Sequence, residues 1–444
     1  MANMNIHEII TEFENHPVII FHDRAIDYRE FAELLDRQAH FLSANSVRPG
    51  EVVAFDGVYT PETCALLVAL IENRSIIVPL PAGPEAKRAE FLDFAEVECQ
   101  ILGDGTVRRT ARISGHPLYQ RLRDAAAPGL VLFSSGTTGR SKASVLDFAK
   151  LLANYDRSKL RPRRTLGFLS LDHIGGINTL MNTLVHGGCV VTTAERTPQA
   201  VFSAIETYGA DTLPTTPTFL TMSLLSGELA RRDLSALKLI TYGTEPMPPQ
   251  TLKKLCETLP GIRLKQTYGL SEVGILPTMS KDDSSLWMKL GSRGFEHKIL
   301  DGILWIKSDM AMLGYLNAPA PFDDDGFFNT QDAVEIDGDY IKVLGRKSEL
   351  INVGGEKVYP NEVESVLLEM EGVVEATVSG KPSAITGMVV RAVLRLSEPE
   401  PAATLRERVR AHCGTRLEPF KVPVVVELTD RPMHSDRLKK VRAV

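Results

Sequence analysis

Short apolar runs alternate with helical patterns over residues 28 to 267, and this rhythm constrains the fold more than any other feature of the chain. In residues 28–42, Phe31, Leu34, Leu35, Phe41 and Leu42 fall near helical spacing. Residues 52–55 then read as a buried strand, 61–71 as a helix, and 76–80, 130–133, 166–169 and 190–192 as further strands. Residues 237–242 and 264–267 follow in the same style. Continuous apolar strands separated by helices imply parallel sheets covered on both faces. After Gly302 the pattern changes to closely spaced strands at 303–307, 334–336 and 340–343, joined by turns such as Asp337-Gly338. That predicts a small antiparallel element. From Arg346 onward a helix near 360–370, strands near 373–378 and 388–396 and a helix near 404–412 form an α+β unit, with residues 397–401 as a loop inside it.

At 444 residues the chain exceeds the size at which a single core keeps growing, so a large domain with a smaller one is expected. A formal charge of -6 gives no general basic field for nucleic acid or an anionic membrane. The five cysteines, Cys64, Cys99, Cys189, Cys256 and Cys413, lack CxxC spacing, which argues against a zinc site and a disulfide framework. The most apolar run, residues 64–71, is far too short to span a bilayer, and the first residues lack a basic segment followed by an apolar core. A cytoplasmic location with no membrane span is the expectation.

The strongest local signal is the loop after the strand at 130–133: Ser134, Ser135, Gly136, Thr137, Thr138, Gly139, Arg140, Ser141, Lys142. Glycines let backbone N–H groups approach phosphate oxygens, hydroxyls donate further hydrogen bonds, and Lys142 supplies charge. The spacing is not GxxxxGK[ST], which disfavours a P-loop nucleotide hydrolase.

This loop resembles the phosphate-binding motif of the adenylate-forming superfamily, which includes acyl- and aryl-CoA synthetases, luciferases and the adenylation domains of nonribosomal peptide synthetases. The resemblance recurs in order. Thr267-Tyr268-Gly269-Leu270-Ser271-Glu272 resembles YGxTE, and Gly302-Ile303-Leu304-Trp305-Ile306 with Gly314-Tyr315 resembles GELWIxG…GY. Phe327-Phe328-Asn329-Thr330-Gln331-Asp332 is similar to WxxTGD, and Gly345-Arg346-Lys347-Ser348 with Gly354-Gly355 to the hinge and the loop after it.

The resemblance implies an α/β fold: an N-terminal core of residues 1–345 and a smaller mobile lid of residues 346–444, hinged near Ser348. It also implies a carboxylic acid activated with ATP to an acyl-adenylate and pyrophosphate, then transfer to a thiol, CoA or the phosphopantetheine of an acyl carrier protein. Glu272 would hold Mg²⁺ together with Thr138, Asp332 would hold both ribose hydroxyls, and Arg346 would also bind the nucleotide. Gly243-Thr244-Glu245 would form the adenine turn, with Tyr268 stacked on the base and Gly269 and Ser271 close by. Gly354 and Gly355 would line the approach of the thiol. His173 sits where acyl- and aryl-acid members carry a histidine near the acyl carboxylate, while Asp172 keeps open an amino-acid substrate or an amine acceptor. The last family motif is altered: Met433-His434-Ser435-Asp436-Arg437-Leu438-Lys439-Lys440 lacks its glycine. Lys439 has the best spacing for the cation that bridges carboxylate and α-phosphate, with Arg437 and Lys440 as alternatives. A nucleotide-binding protein without catalysis is the remaining reading.

Overall fold

The computed structural model describes residues 6–135, 141–291, 293–435 and 438–442. Two seven-stranded sheets dominate its N-terminal part. One runs in the order Arg263–Gln266, Leu239–Tyr242, Thr212–Thr215, Arg164–Leu166, Cys189–Val191, Pro17–Phe21 and Arg24–Asp27, parallel throughout except for the last strand. The other has Ile76–Leu80, Val52–Asp56 and Cys99–Ile101 parallel at its centre, with antiparallel strands toward both edges. Gly129–Ser135 and Ser141–Asp147 pair antiparallel, so the hydroxyl-rich loop joins two strands of this sheet.

Helix Pro61–Glu72 starts where Thr60 accepts the Thr63 N–H and Pro61 fills the first turn. Its residues from Cys64 through Ile71 are all buried, as expected of a helix wrapped on every side. Together with Tyr28–Ala44 and Ile174–Val185 it belongs to one apolar cluster that draws Val18, Ile19 and Val190 from the first sheet and Val53, Ile77 and Leu130 from the second. The helices thus fill the space between two sheets, the layering that the helix and strand rhythm implied.

The antiparallel element is larger than expected and begins earlier. Tyr268–Leu270 pairs with Gly274–Leu276, and a six-stranded sheet runs Thr278–Ser280, Met288–Leu290, Tyr340–Arg346, Phe328–Asp337, Ile303–Ser308 and Phe295–Leu300. Its first strands are three residues long and carry half-exposed Met279 and Lys289, so no apolar run announces them. The strand expected at 166–169 lies at Arg164–Leu166 instead, ending before Gly167. The C-terminal five-stranded sheet is built on Val373–Ser383 and Gly387–Leu396, with helices Pro360–Leu367 and Ala402–Gly414 packed on it. Its apolar cluster contains only residues between Ile351 and Val426. The fold is therefore α/β, with a large N-terminal and a smaller C-terminal α+β part, and no helix among the described residues is long and apolar enough to cross a membrane.

Candidate active site

A cleft of about 1130 Å³ opens at the carboxyl ends of the parallel strands, between the two parts of the molecule. Gly57 follows Val52–Asp56, Pro81 follows Ile76–Leu80, and Thr244 and Thr267 follow the strands ending at Tyr242 and Gln266. Crevices at such strand ends collect loops and helix starts, which makes them the usual ligand sites of parallel sheets.

One wall holds a buried carboxylate cluster. Asp332, 7% exposed, accepts from the Tyr268 hydroxyl and lies 3.4 Å from Arg346 Nε. Asp332 and Arg346 are cross-strand partners, so sheet register brings them together. Burial raises the Asp332 carboxyl above its ordinary value, against the pull of Arg346. Burial opposes charge on Arg346 itself, yet Asp332 and Glu272 hold it above its ordinary value. Tyr268 is thus tied through its hydroxyl, with burial and Asp332 raising that hydroxyl far beyond its usual range.

Beside this cluster Glu272 accepts from Tyr315 Oη at 2.7 Å through Oε1, while its backbone oxygen takes the Met312 N–H at 2.8 Å. Lys142 Nζ stands 5.1 Å from the centre of the Tyr315 ring. Gly314–Tyr315 pairs with Ser141–Asp147, so the sheet edge brings Tyr315 near Lys142, and the Tyr315 hydroxyl reaches Glu272. Ser134, Gly269 and Ser271 line the same cleft. Gly136, Thr137, Thr138, Gly139 and Arg437, with the side chain of Ser135, lie outside the described residues.

His173 lines the same cleft as the cap of helix Ile174–Val185, its Nδ1 accepting the Gly175 N–H at 3.0 Å. A Cβ on Gly175 would meet Leu169 at 2.5 Å, and one on Gly176 the Ser170 carbonyl oxygen at 2.0 Å. The glycine pair therefore lets the helix start against residues 169–170 and fixes where His173 projects. Asp172, 4% exposed, accepts from the Ser170 hydroxyl.

The C-terminal part reaches this point. Lys439 Nζ lies 3.4 Å from His173 Nε2. Lys440 turns the other way, its ammonium 2.9 Å from Glu364 Oε2, and Arg442 engages the same carboxylate and Glu349. Burial alone would raise the Glu364 carboxyl, but Lys440 and Arg442 outweigh it and hold it below the ordinary glutamate value.

Some expected site residues stand elsewhere. Gly243 is not part of the cleft wall; a Cβ there would meet the Thr267 carbonyl oxygen at 2.7 Å, so neighbouring backbone requires the glycine. Thr244 and Glu245 do line the cleft, and the Glu245 carboxylate binds the Thr218 and Lys440 backbone N–H groups. Gly354 and Gly355 form a hairpin tip at φ +61 and +98, away from the cleft wall. Ser348 lies in the 3₁₀ turn Lys347–Glu349 at the cleft edge. Sequence reasoning placed Tyr315 in a motif without giving it a role, and passed over Thr216 and Glu364. The last carried a signal: Glu364 shares the buried face of its helix with Pro360, Val363 and Leu367, and a carboxylate on an apolar face calls for a buried cation.

Residues 6–316 match the family model for AMP-binding enzymes, and residues 362–439 match the model for the C-terminal domain of those enzymes. The chain is 29% identical to the indoleacetate–CoA ligase of Aromatoleum aromaticum, over 85% of this chain and 84% of that one. It is 30% identical to a medium/long-chain fatty-acid–[acyl-carrier-protein] ligase of Mycobacterium tuberculosis, over 92% and 88%. The fold matches the solved structure of an anthranilate CoA ligase in complex with anthranoyl-AMP, with a TM-score of 0.83, 19% identity and coverage of 99% and 96%. With both models matched in order along a chain of this fold, the protein belongs to the family of AMP-binding enzymes.

Proposed function

We propose that this enzyme joins a carboxylic acid to ATP as an acyl-adenylate, releasing pyrophosphate, and then transfers the acyl group to a thiol. The observation that carries the reading is the approach of Lys439 to His173 in a cleft that Glu272, Asp332 and Arg346 also line. Because His173 Nδ1 accepts the Gly175 N–H, the neutral ring carries its hydrogen on Nε2, facing Lys439. Two donors from opposite parts of the molecule then converge on one place, and an oxygen shared by the acid and the α-phosphate satisfies both. Charge developing there as the carboxylate attacks is stabilised by donors already in position.

Asp332 receives the ribose hydroxyls once Tyr268 yields its bond, with Arg346 balancing the buried charge. Lys142 leaves the Tyr315 ring for the phosphates. Among the described residues no group of three or more histidine, cysteine or acidic side chains is placed to hold a metal. Mg²⁺ takes one or two carboxylates and completes its shell with phosphate oxygens and water. Glu272 has one carboxylate oxygen on Tyr315 and offers the other. The ion would neutralise charge on the phosphates.

The same reading places the boundary at residues 345–346 and the hinge near Ser348, where the chain leaves the strand Tyr340–Arg346 through a single 3₁₀ turn. Rotation there would withdraw Lys439 and bring Gly354 and Gly355 toward the thiol. CoA and a carrier protein's phosphopantetheine present the same thiol arm, and the relatives include ligases named for each. Five unpaired cysteine thiols suit a reducing compartment, and we place the enzyme in the cytoplasm. Asp172 lines the cleft next to His173, and it supports an amino acid as the alternative substrate.

Pyrophosphate exchange with benzoate, anthranilate, indole-3-acetate, octanoate, palmitate and phenylalanine tests the reading, with product analysis with and without CoA. Exchange with an acid lacking an amino group, and thioester formed only when CoA is added, is the expected result. Exchange with phenylalanine alone would move the assignment to amino acids, and no exchange with any acid would overturn activation.

A further inference from the structure

Lys439 lies on one of two paired segments, and the sequence from Met433 to Val441 contains no glycine. Val441 N donates to Met433 O and Ser435 N to Lys439 O, each at 2.8 Å, and His434 and Lys440 form a bridge between them. Leu438 holds φ +51, a conformation that its side chain disfavours. An observed outlier at a cleft needs a compensating interaction. Leu438 is 8% exposed and joins the apolar cluster of Phe168, Leu213, Phe219 and Leu220, whose other buried members all come from residues 20–264. The side chain that glycine would lack is therefore sunk into the N-terminal part of the molecule.

The peptide groups flanking Lys439 are held from the same direction. Thr216 Oγ1 donates to Leu438 O at 2.8 Å, and Lys440 N donates to Glu245 Oε2 at 3.0 Å. Neither grip is a casual surface contact. Thr216 is fully buried and accepts the Phe219 N–H that starts helix Pro217–Ser226, while the other Glu245 oxygen takes the Thr218 N–H at 2.7 Å. An apolar socket, a hydroxyl and a carboxylate thus converge on residues 438–440, and Lys439 points between them to His173.

We infer that Leu438, with Thr216 and Glu245, is a positioning residue for Lys439, an apolar plug that biases the molecule toward the arrangement in which acid activation occurs. The inference rests on the adenylation reading above. Its physical content is a population shift. Burial of Leu438 favours the docked state, and the C-terminal part leaves for thioester formation only by withdrawing that side chain.

Leu438→Ala retains the disfavoured backbone and loses the plug, whereas Leu438→Gly relieves the backbone and also loses the plug. Both should lower pyrophosphate exchange, measured with the acid of the panel that supports it, roughly tenfold to a hundredfold, with glycine the milder. Conversion of the synthetic adenylate of that acid to thioester should be unchanged or faster. Amide hydrogen exchange in the peptide containing residues 433–442 should rise in both variants. Full pyrophosphate exchange and unchanged amide protection in Leu438→Gly would overturn the inference and leave Leu438 a mere turn former. Equal losses in both half-reactions would overturn it too, as general destabilisation. If the unsubstituted enzyme activates no acid, the adenylation reading fails, and the amide comparison still decides whether Leu438 holds the segment.

Discussion

Thr244, Gln331 and Leu438 hold left-handed backbone at φ +73, +63 and +51, all at or beside the cleft. Such angles are uncommon outside glycine and cost about 1–2 kcal/mol. At Gln331 the pattern WxxTGD has glycine. Gln331→Gly relieves the backbone and returns only about 0.5–1 kcal/mol of glycine's extra chain entropy. A small rise in melting temperature is expected, and a fall would mean that the Gln331 side chain contributes more than its backbone loses. Glu272→Gln keeps an oxygen for the Tyr315 hydroxyl and removes the charge. Melting should change little while pyrophosphate exchange drops by about a hundredfold or more, the scale of a single electrostatic stabiliser. Residues of this kind were legible because ordered motifs carried them. The contact of Tyr315 with Glu272 and the grip of Thr216 on the Leu438 carbonyl were not, because those partners lie 43 and 222 residues away.

The helix Pro360–Leu367 shows how an element holds a distant segment. Glu364, 1% exposed, lies on its buried face and binds both Lys440 and Arg442 from the end of the chain. Removing one partner of a buried ion pair leaves charge uncompensated, so Glu364→Ala should destabilise the C-terminal part by about 3 kcal/mol. Denaturant unfolding followed on that part checks the size. Because the folded value of Glu364 is depressed, its stabilisation is present above the ordinary glutamate value of 4.5 and is lost as pH falls through the lower folded value. The difference in melting temperature between the unsubstituted protein and Glu364→Gln should be full at neutral pH and shrink only below about pH 4.5. The fully buried parallel strands could be read from their apolar runs. Strands such as Thr278–Ser280, with one buried residue in three, could not, nor could the antiparallel pairing of Pro17–Phe21 with Arg24–Asp27.

Across the whole molecule, three basic residues within four positions compete for one role, and spacing along the chain left Lys439 beside two alternatives. The geometry separates Lys439 from Lys440 through a partner remote in sequence, since Glu364 draws Lys440 into the C-terminal part while Lys439 meets His173. Lys439→Ala should slow adenylation about a hundredfold and spare thioester formation from a supplied adenylate. Lys440→Ala should instead lower stability, with both half-reactions reduced together. Paired half-reaction assays with a melting curve for each variant check the contrast.

The apolar cluster confined to residues 351–426 has a thermodynamic consequence. A core that closes on itself loses its order as one cooperative event, and the clusters of the N-terminal part need not lose theirs at the same temperature. Calorimetry should therefore resolve two heat-absorption peaks, and no single unfolding free energy then describes the chain. Leu438 and its neighbours couple these two transitions, so weakening that attachment should move the peaks apart, each enthalpy changing only as the heat capacity requires for its shift in temperature.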